Sequence, residues 1–369
     1  MNVGIFHPAM NWCGGAEWVA VNIINSLRTF NHKITLLSDS TLNQAKIENV
    51  FGRKVIVDKQ VVFPLMFFSP TNPHNVYTDA LRSKILKAKC DVVIDTFSSS
   101  VLPGVDICYV HYPLLKRLEA GLPKLRNKIF FYPYRTYLDS RRNKLGKMLF
   151  FANSRFTAKA IISELNSDSH VLYPPVANEF FIRDVENQNR RRVNLVVTIS
   201  RISQEKNLEI IPYIAKKTDK DVSFIVAGLL DSKAVLESIQ KSIKKLGVSS
   251  RVKILPNVSR LRLKELLLES KVYLHTSVKE HFGVSIVEAM ASGCIPIVYN
   301  SGGPKEFVPS NQRFDDVEEA ADLIKKAIEN WSPKQVRTSS KLAECFSEKN
   351  FSKQFMDIFN EHFRKSRSD

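Results

Sequence analysis

Residues Val272–Pro304 read VYLHTSVKEHFGVSIVEAMASGCIPIVYNSGGP, and this stretch decides the fold. VYLHTS is a short run rich in β-branched and aromatic residues, which predicts a strand. EHFG is a loop, VSIVEAMAS a helix with Gly293 as its C-cap, and CIPIVYN a second apolar strand that ends in a Gly-Gly-Pro turn. Strand, helix and strand in that order make a crossover unit, so the two strands run parallel. Glu280 then lies in the loop at the carboxyl end of the first strand, and Glu288 about a turn and a half into the helix. The helix N-terminus points toward the same space and suits an anion, because its backbone N–H groups lack partners within the helix. Both glutamates would also be favoured near a helix start for dipole reasons alone.

The same alternation runs through the chain. NVGIFH, HKITLLS, DVVIDTF, ICYVHY, KMLFFANS and HVLYPPV predict strands in the first half, and NLVVTIS, VSFIVAG, VKILPN, VYLHTS and IPIVYN in the second. Helical stretches such as Ala16–Leu27 and Leu261–Glu269 lie between them. Several strands are continuously apolar, as strands covered on both faces must be. The class is therefore α/β with parallel sheets. A length of 369 residues suits two domains, and the polar, aperiodic stretch Ile182–Arg192 is the predicted boundary. Two Rossmann-like halves on either side would leave a ligand cleft at the carboxyl ends of their strands. The expected domains are residues 1–180, 181–345 and a closing helical stretch, 346–369, packed back on the first.

Composition narrows the classes. No apolar run approaches the roughly 18–20 residues of a membrane span, and the first residues carry no secretory pattern. Five scattered cysteines suit a reducing compartment better than a disulfide framework. A net charge of +17 implies an anionic partner.

Carboxylates suit sugar hydroxyls and a helix N-terminus suits phosphate, which together describe a nucleotide-sugar. The E-x7-E spacing within EHFG…EAMASG, with NSGGPKE after it, resembles the family 4 glycosyltransferases of the GT-B fold, in which two Rossmann-like domains face each other across a cleft. Within that group, HTSVKEHFGVSIVEAM and NSGGPKEFV look most like the eukaryotic enzymes that extend dolichol-linked oligosaccharides from GDP-mannose. The resemblance implies that Glu280 meets donor sugar hydroxyls and that Glu288 holds the ribose. It also lays the backbone of Phe282, Gly283 and Val284 against the sugar and diphosphate. It implies retention of anomeric configuration, on the cytoplasmic face of a membrane.

Other stretches join this picture. In NWCGGAEWVA, Gly14 and Gly15 allow close backbone approach and a helix start offers N–H donors, although paired glycines are also common in ordinary turns. The pattern is not a dinucleotide fingerprint. The resemblance puts this loop beside the donor diphosphate and the acceptor. In RISQEKN, Arg201 and Lys206 fall in a loop and the first turn of the next helix. A cation there opposes the dipole unless an anion is bound, or it forms a solvated surface pair; the resemblance makes both diphosphate ligands. His111 in ICYVHYP is either a structural histidine or, by the resemblance, a donor-sugar contact. Asn153 or Ser154 in ANSRFTAKAI would cap a helix. Asp219 and Asp221 form a D-x-D that precedes a strand, so it is read as chance. No metal and no other cofactor is expected.

From Pro113 to Phe150 ten Lys or Arg residues face two acids, a net +8. Lys116, Arg117, Lys124, Arg126 and Lys128 interleave there with Leu114, Leu115, Leu118, Leu122, Leu125 and Ile129 at helical spacing. This suits an anionic membrane surface and a lipid-linked glycan acceptor, or else a solvated helix whose leucines face the core. Nucleic acid would accept the charge, but no binding module is present and none is expected as partner. A UDP-sugar-dependent transferase, a nucleotide-sugar epimerase and a non-catalytic basic surface protein are the competing readings.

Overall fold

The structure is a computed structural model and describes residues 1–64, 73–120, 125–182 and 192–365. The chain divides into two compact units, residues 1–175 with 349–369, and residues 176–348.

Unit 1 is built on seven parallel strands: β1 (Asn2–Phe6), β2 (Lys33–Ser38), β3 (Lys59–Val62), β4 (Val92–Asp95), β5 (Ile107–Val110), β6 (Leu149–Ala152) and β7 (His170–Val171). Their order is β3-β2-β1-β4-β5-β6-β7. β4, β5 and β6 are buried at every position, which is why their sequences do not alternate. Of HVLYPPV, His170 and Val171 pair with β6; the two prolines that follow have no N–H to extend that ladder, and Val176 bridges to Ser347 instead. The crossovers are α1 (Gly15–Thr29), α2 (Gln44–Phe51), α3 (Val76–Lys87), α4 (Leu114–Ala120), α5 (Leu125–Leu145) and α6 (Arg155–Leu165). Asn43 and Ser154 cap α2 and α6, their side-chain oxygens accepting the N–H of Lys46 and Thr157.

Unit 2 repeats the plan with β8 (Val193–Ile199), β9 (Ser223–Gly228), β10 (Val252–Pro256), β11 (Ser270–His275), β12 (Ile295–Tyr299) and β13 (Arg313–Phe314), in the order β10-β9-β8-β11-β12-β13. All of these pairs are parallel as well. Its helices are α7 (Ile211–Lys217), α8 (Lys233–Leu246), α9 (Arg260–Glu269), α10 (Val284–Ala291), α11 (Val317–Glu329) and α12 (Pro333–Ala343). The C-cap of α10 is Ser292, and Gly293 follows it at φ +79; the left-handed residue thus comes one position beyond the cap, where glycine is strongly preferred. Of the expected boundary stretch, residues 183–191 lie outside the described residues. Arg192 is buried, and its guanidinium donates to the carbonyls of Leu267, Ser270 and Ser292.

The last helix, α13 (Glu348–Lys365), belongs to unit 1 for most of its length. Phe351, Phe355 and Phe359 recur every four residues on one face and are buried. The Phe355 ring lies 5.6 Å from Phe151 and 5.7 Å from Phe359. Phe355→Ala should therefore destabilise unit 1 by about 3–5 kcal/mol in urea denaturation; a change under about 1 kcal/mol would show that this face is not part of the core.

Candidate active site

In a parallel sheet, ligands bind at the carboxyl edge where strand order reverses. In unit 2 that point lies between β8 and β11, so the loops after these two strands matter most. The first contains Arg201 and Lys206, and the second contains Glu280.

Lys206 closes a three-residue 3-10 turn, Gln204–Lys206, and Asn207 follows at φ 51. The expectation that Lys206 begins an α-helix is thus corrected. A left-handed asparagine breaks the run, and α7 starts at Ile211 with Pro212 in its first turn, where a missing N–H costs little. The Thr276 hydroxyl donates to the Lys206 carbonyl (2.7 Å) and the Ser277 hydroxyl to the Glu205 carbonyl (3.0 Å). These bonds tie the two loops together and aim Lys206 across at Glu280, with Nζ to Oε2 at 2.6 Å. His275, at the end of β11, donates through Nε2 to the same oxygen (3.2 Å), and the His281 N–H reaches Oε1 (3.2 Å). Burial opposes charge on Glu280, but the His275 hydrogen bond and the Lys206 ammonium hold its carboxyl well below the usual range. Burial also pushes His275 down, against the pull of Glu280.

The Gly-Gly-Pro turn holds this loop in place. The Gly303 N–H donates to the Glu280 carbonyl at 2.8 Å. A Cβ on Gly302, which sits at φ +73, would lie 2.1 Å from the Glu280 carbonyl oxygen, and one on Gly303 would lie 2.0 Å from that of His281. Only glycine permits backbone to meet backbone so closely.

Arg201 is not on the Lys206–Glu280 pair. Its exposed guanidinium bonds Glu205 (2.8 Å) and Asp231 (3.1 Å). Phe282 is buried against Phe307 (5.2 Å) and Phe346 (5.6 Å), so its ring anchors the loop. Gly283, at φ +90, is the N-cap of α10 and Val284 its first residue. Glu288 lies on α10 in a different environment from Glu280. Burial pushes its carboxyl up, Arg260 opposes this, and Glu179, paired with Arg260 at 2.6 Å, adds to it. The two glutamates of E-x7-E are therefore driven apart, one toward the ionised and one toward the neutral form.

In unit 1 the reversal lies between β1 and β4. His7 follows β1 and is fully buried, with Nδ1 2.8 Å from the Thr96 hydroxyl and Nε2 3.1 Å from Glu17. The other Glu17 oxygen accepts the Gly14 N–H at 2.6 Å. One of the N–H donors expected at the Gly14–Gly15 helix start is thus already taken, by the carboxylate three residues on. His111 follows β5; its Nε2 meets the Thr96 carbonyl at 3.0 Å, which requires the proton on that nitrogen, and its own carbonyl accepts from Asn153 (2.9 Å). Sequence reading passed over His275, His7, Glu17 and the bracing role of Gly302 and Gly303. Two signals were available: a histidine within VYLHTS, where β11 ends, and G-x-x-E at capping-box spacing.

Lys116 and Arg117 lie on α4, Arg126 and Lys128 on α5, and Lys124 lies outside the described residues. Leu114 and Leu115 are buried in the unit 1 core and Leu118 packs against it, whereas Ile129 is exposed. The apolar positions read as one amphipathic stripe are thus split between core and surface, on two separate helices, α4 and α5. Asp219 and Asp221 precede β9, and Asp221 accepts from Asn194. Among the described residues no group of three or more His, Cys, Asp or Glu side chains is gathered to hold a metal ion.

The Lys206–Glu280 pair gives a pH prediction. The folded pKa of Glu280 is depressed, so its stabilisation is present above the unfolded value of about 4.3 and is lost as pH falls through the folded value. Lys206→Met should cost unit 2 about 3 kcal/mol at pH 7. The gap should close in acid, as His275 and then Glu280 take up protons. A gap independent of pH in urea denaturation would refute the electrostatic account.

Residues 181–344 match the family described as glycosyl transferases group 1. The GDP-Man:Man(3)GlcNAc(2)-PP-Dol alpha-1,2-mannosyltransferase of Dictyostelium discoideum is 25% identical, over 71% of this chain and 61% of its own length. The protein of the same description from Candida albicans is 27% identical, over 82% of this chain and 60% of its own length. The chain thus spans about three-fifths of these two relatives. Among solved structures, a glycosyltransferase from Rickettsia africae superposes with a TM-score of 0.72 at 15% identity, covering 98% of both chains. Residues 181–344 thus match the glycosyl transferases group 1 family, and the chain has the GT-B fold.

Proposed function

We propose that the chain is a retaining, metal-independent glycosyltransferase that moves mannose from GDP-mannose to a glycan linked to a polyprenyl or dolichyl diphosphate. The observation that carries this reading is the Lys206–Glu280 pair between the loops after β8 and β11. It combines a cation suited to a diphosphate with a carboxylate suited to sugar hydroxyls, bonded to each other. The names of the Dictyostelium and Candida relatives supply the donor and the acceptor.

On this reading the donor diphosphate draws Lys206 off Glu280, and Arg201 off Asp231 and Glu205. Glu280, kept ionised, then accepts hydrogen bonds from the hexose. Glu288 takes the ribose, while the backbone of Phe282, Gly283 and Val284 lines the sugar and diphosphate. Gly14, Gly15 and His111 are assigned to the donor phosphate and sugar as well. The bond from the anomeric carbon to phosphate oxygen breaks, its electron pair leaving on the diphosphate, where Lys206 and Arg201 stabilise the charge. The acceptor hydroxyl attacks the same face, and its proton passes to the departing phosphate oxygen.

The basic residues of α4 and α5 support an anionic membrane surface as the place of action, with the enzyme peripheral on its cytoplasmic side. Among the described residues no helix is long and apolar enough to cross a membrane. Nucleic acid is not a partner in this reading.

Melting of the protein should rise with GDP and GDP-mannose but not with UDP, UDP-glucose or UDP-GlcNAc, and the rise should vanish in Lys206→Ala. Glu280→Ala should lower kcat about 100-fold or more. Stabilisation by uridine nucleotides alone would replace the donor. Near-full turnover in Glu280→Ala would refute the site.

A further inference from the structure

Unit 1 holds an apolar groove of about 190 Å³ between α3 and α5. Val76, Ala80, Leu102, Pro133, Tyr134 and Tyr137 line it. The hydroxyls of Tyr77 and Tyr134 are turned to other work. The Tyr77 hydroxyl, at the rim, donates to the Phe130 carbonyl (2.5 Å), and the Tyr134 hydroxyl accepts the Val101 N–H (2.9 Å). What remains facing the groove is ring and aliphatic carbon. Pro133 stands inside α5, where it removes a helical hydrogen bond and is ordinarily disfavoured, and here its ring forms part of the wall.

Large apolar side chains continue from the groove onto the surface. Tyr77 and Leu81, one turn apart on α3, are 39% and 56% exposed, and Ile129 and Tyr132 on α5 are 67% and 68% exposed. Cations accompany them. The Arg141 guanidinium lies 5.5 Å from the centre of the Tyr137 ring, and in sequence α5 carries six Lys or Arg residues and one Asp, a net +5.

This combination selects among occupants. A sugar or nucleotide would find no hydrogen-bonding wall, and a helix about 10 Å across is too wide for such a volume. A hydrocarbon chain attached to an anionic head fits both the wall and the flanking charge. We infer that the groove between α3 and α5 receives the isoprenoid chain of the lipid-linked acceptor, with the acceptor diphosphate at its cationic rim. The inference rests on the proposed function for the identity of the acceptor.

The test is equilibrium binding of radiolabelled geranylgeranyl diphosphate to the full chain in detergent, with inorganic diphosphate as competitor. Ala80→Trp, which fills the groove, should weaken binding at least tenfold. Ile129→Glu, at an exposed position, should weaken it at least threefold without disturbing the fold. In both variants the affinity for inorganic diphosphate and the melting temperature should stay unchanged. Unaltered prenyl affinity in both variants would overturn the inference. So would loss of binding to phosphatidylglycerol vesicles with prenyl affinity intact, because a bilayer lipid would then be the occupant. Nucleotide binding and sugar transfer are separate readouts, so a failed transferase reading leaves the prenyl result interpretable.

Discussion

The arrangement of unit 2 depends on backbone meeting backbone at glycine. Gly303 donates to the Glu280 carbonyl, and neither Gly302 nor Gly303 could carry a Cβ without driving it into the loop. On the neighbouring strand, Gly228 ends β9 at φ +147, where a Cβ would lie 2.0 Å from the Ser200 carbonyl oxygen. The first contact fixes the loop after β11 and the second the loop after β8. Lys206 and Glu280 are side chains of these two loops, so their 2.6 Å separation follows from where three glycines allow the main chain to run.

A second theme is electrostatic. In a chain of net charge +17, the groups best suited to bind phosphate hold carboxylates of the chain itself. Lys206 holds Glu280, Arg201 holds Asp231 and Glu205, and the Gly14 N–H holds Glu17. For Lys206 and the Gly14 N–H, which are largely or partly buried, a donor left unpartnered would cost stability, and internal carboxylates relieve that cost. His275 adds to the arrangement: buried and disfavoured as a cation, it donates to the Glu280 carboxylate beside Lys206 and helps to hold it ionised.

The basic segment shows how one pattern can serve two ends. Its leucines on α4 fill the unit 1 core, while the tyrosines and proline of α5 face α3 and leave a groove. The charge is spread along the same helices. An amphipathic reading of the segment as a whole could not separate these roles, because periodicity says which residues share a face but not what that face meets.

What the sequence alone determined was the class, the parallel strands and the location of Glu280 after a strand. Continuous apolar runs alternating with helices leave no other economical arrangement. It also marked Glu280, Lys206 and Arg201 as chemically apt. Which of these meet was decided only by tertiary structure. Lys206 and Glu280 lie 74 residues apart, and their contact depends on strand order, with β8 and β11 adjacent although two strands intervene in the chain. The separate environments of Glu280 and Glu288 and the carboxylate already on Gly14 come from the same source. Long-range pairing brings them about, and no local pattern of residues encodes where a loop will find its partner.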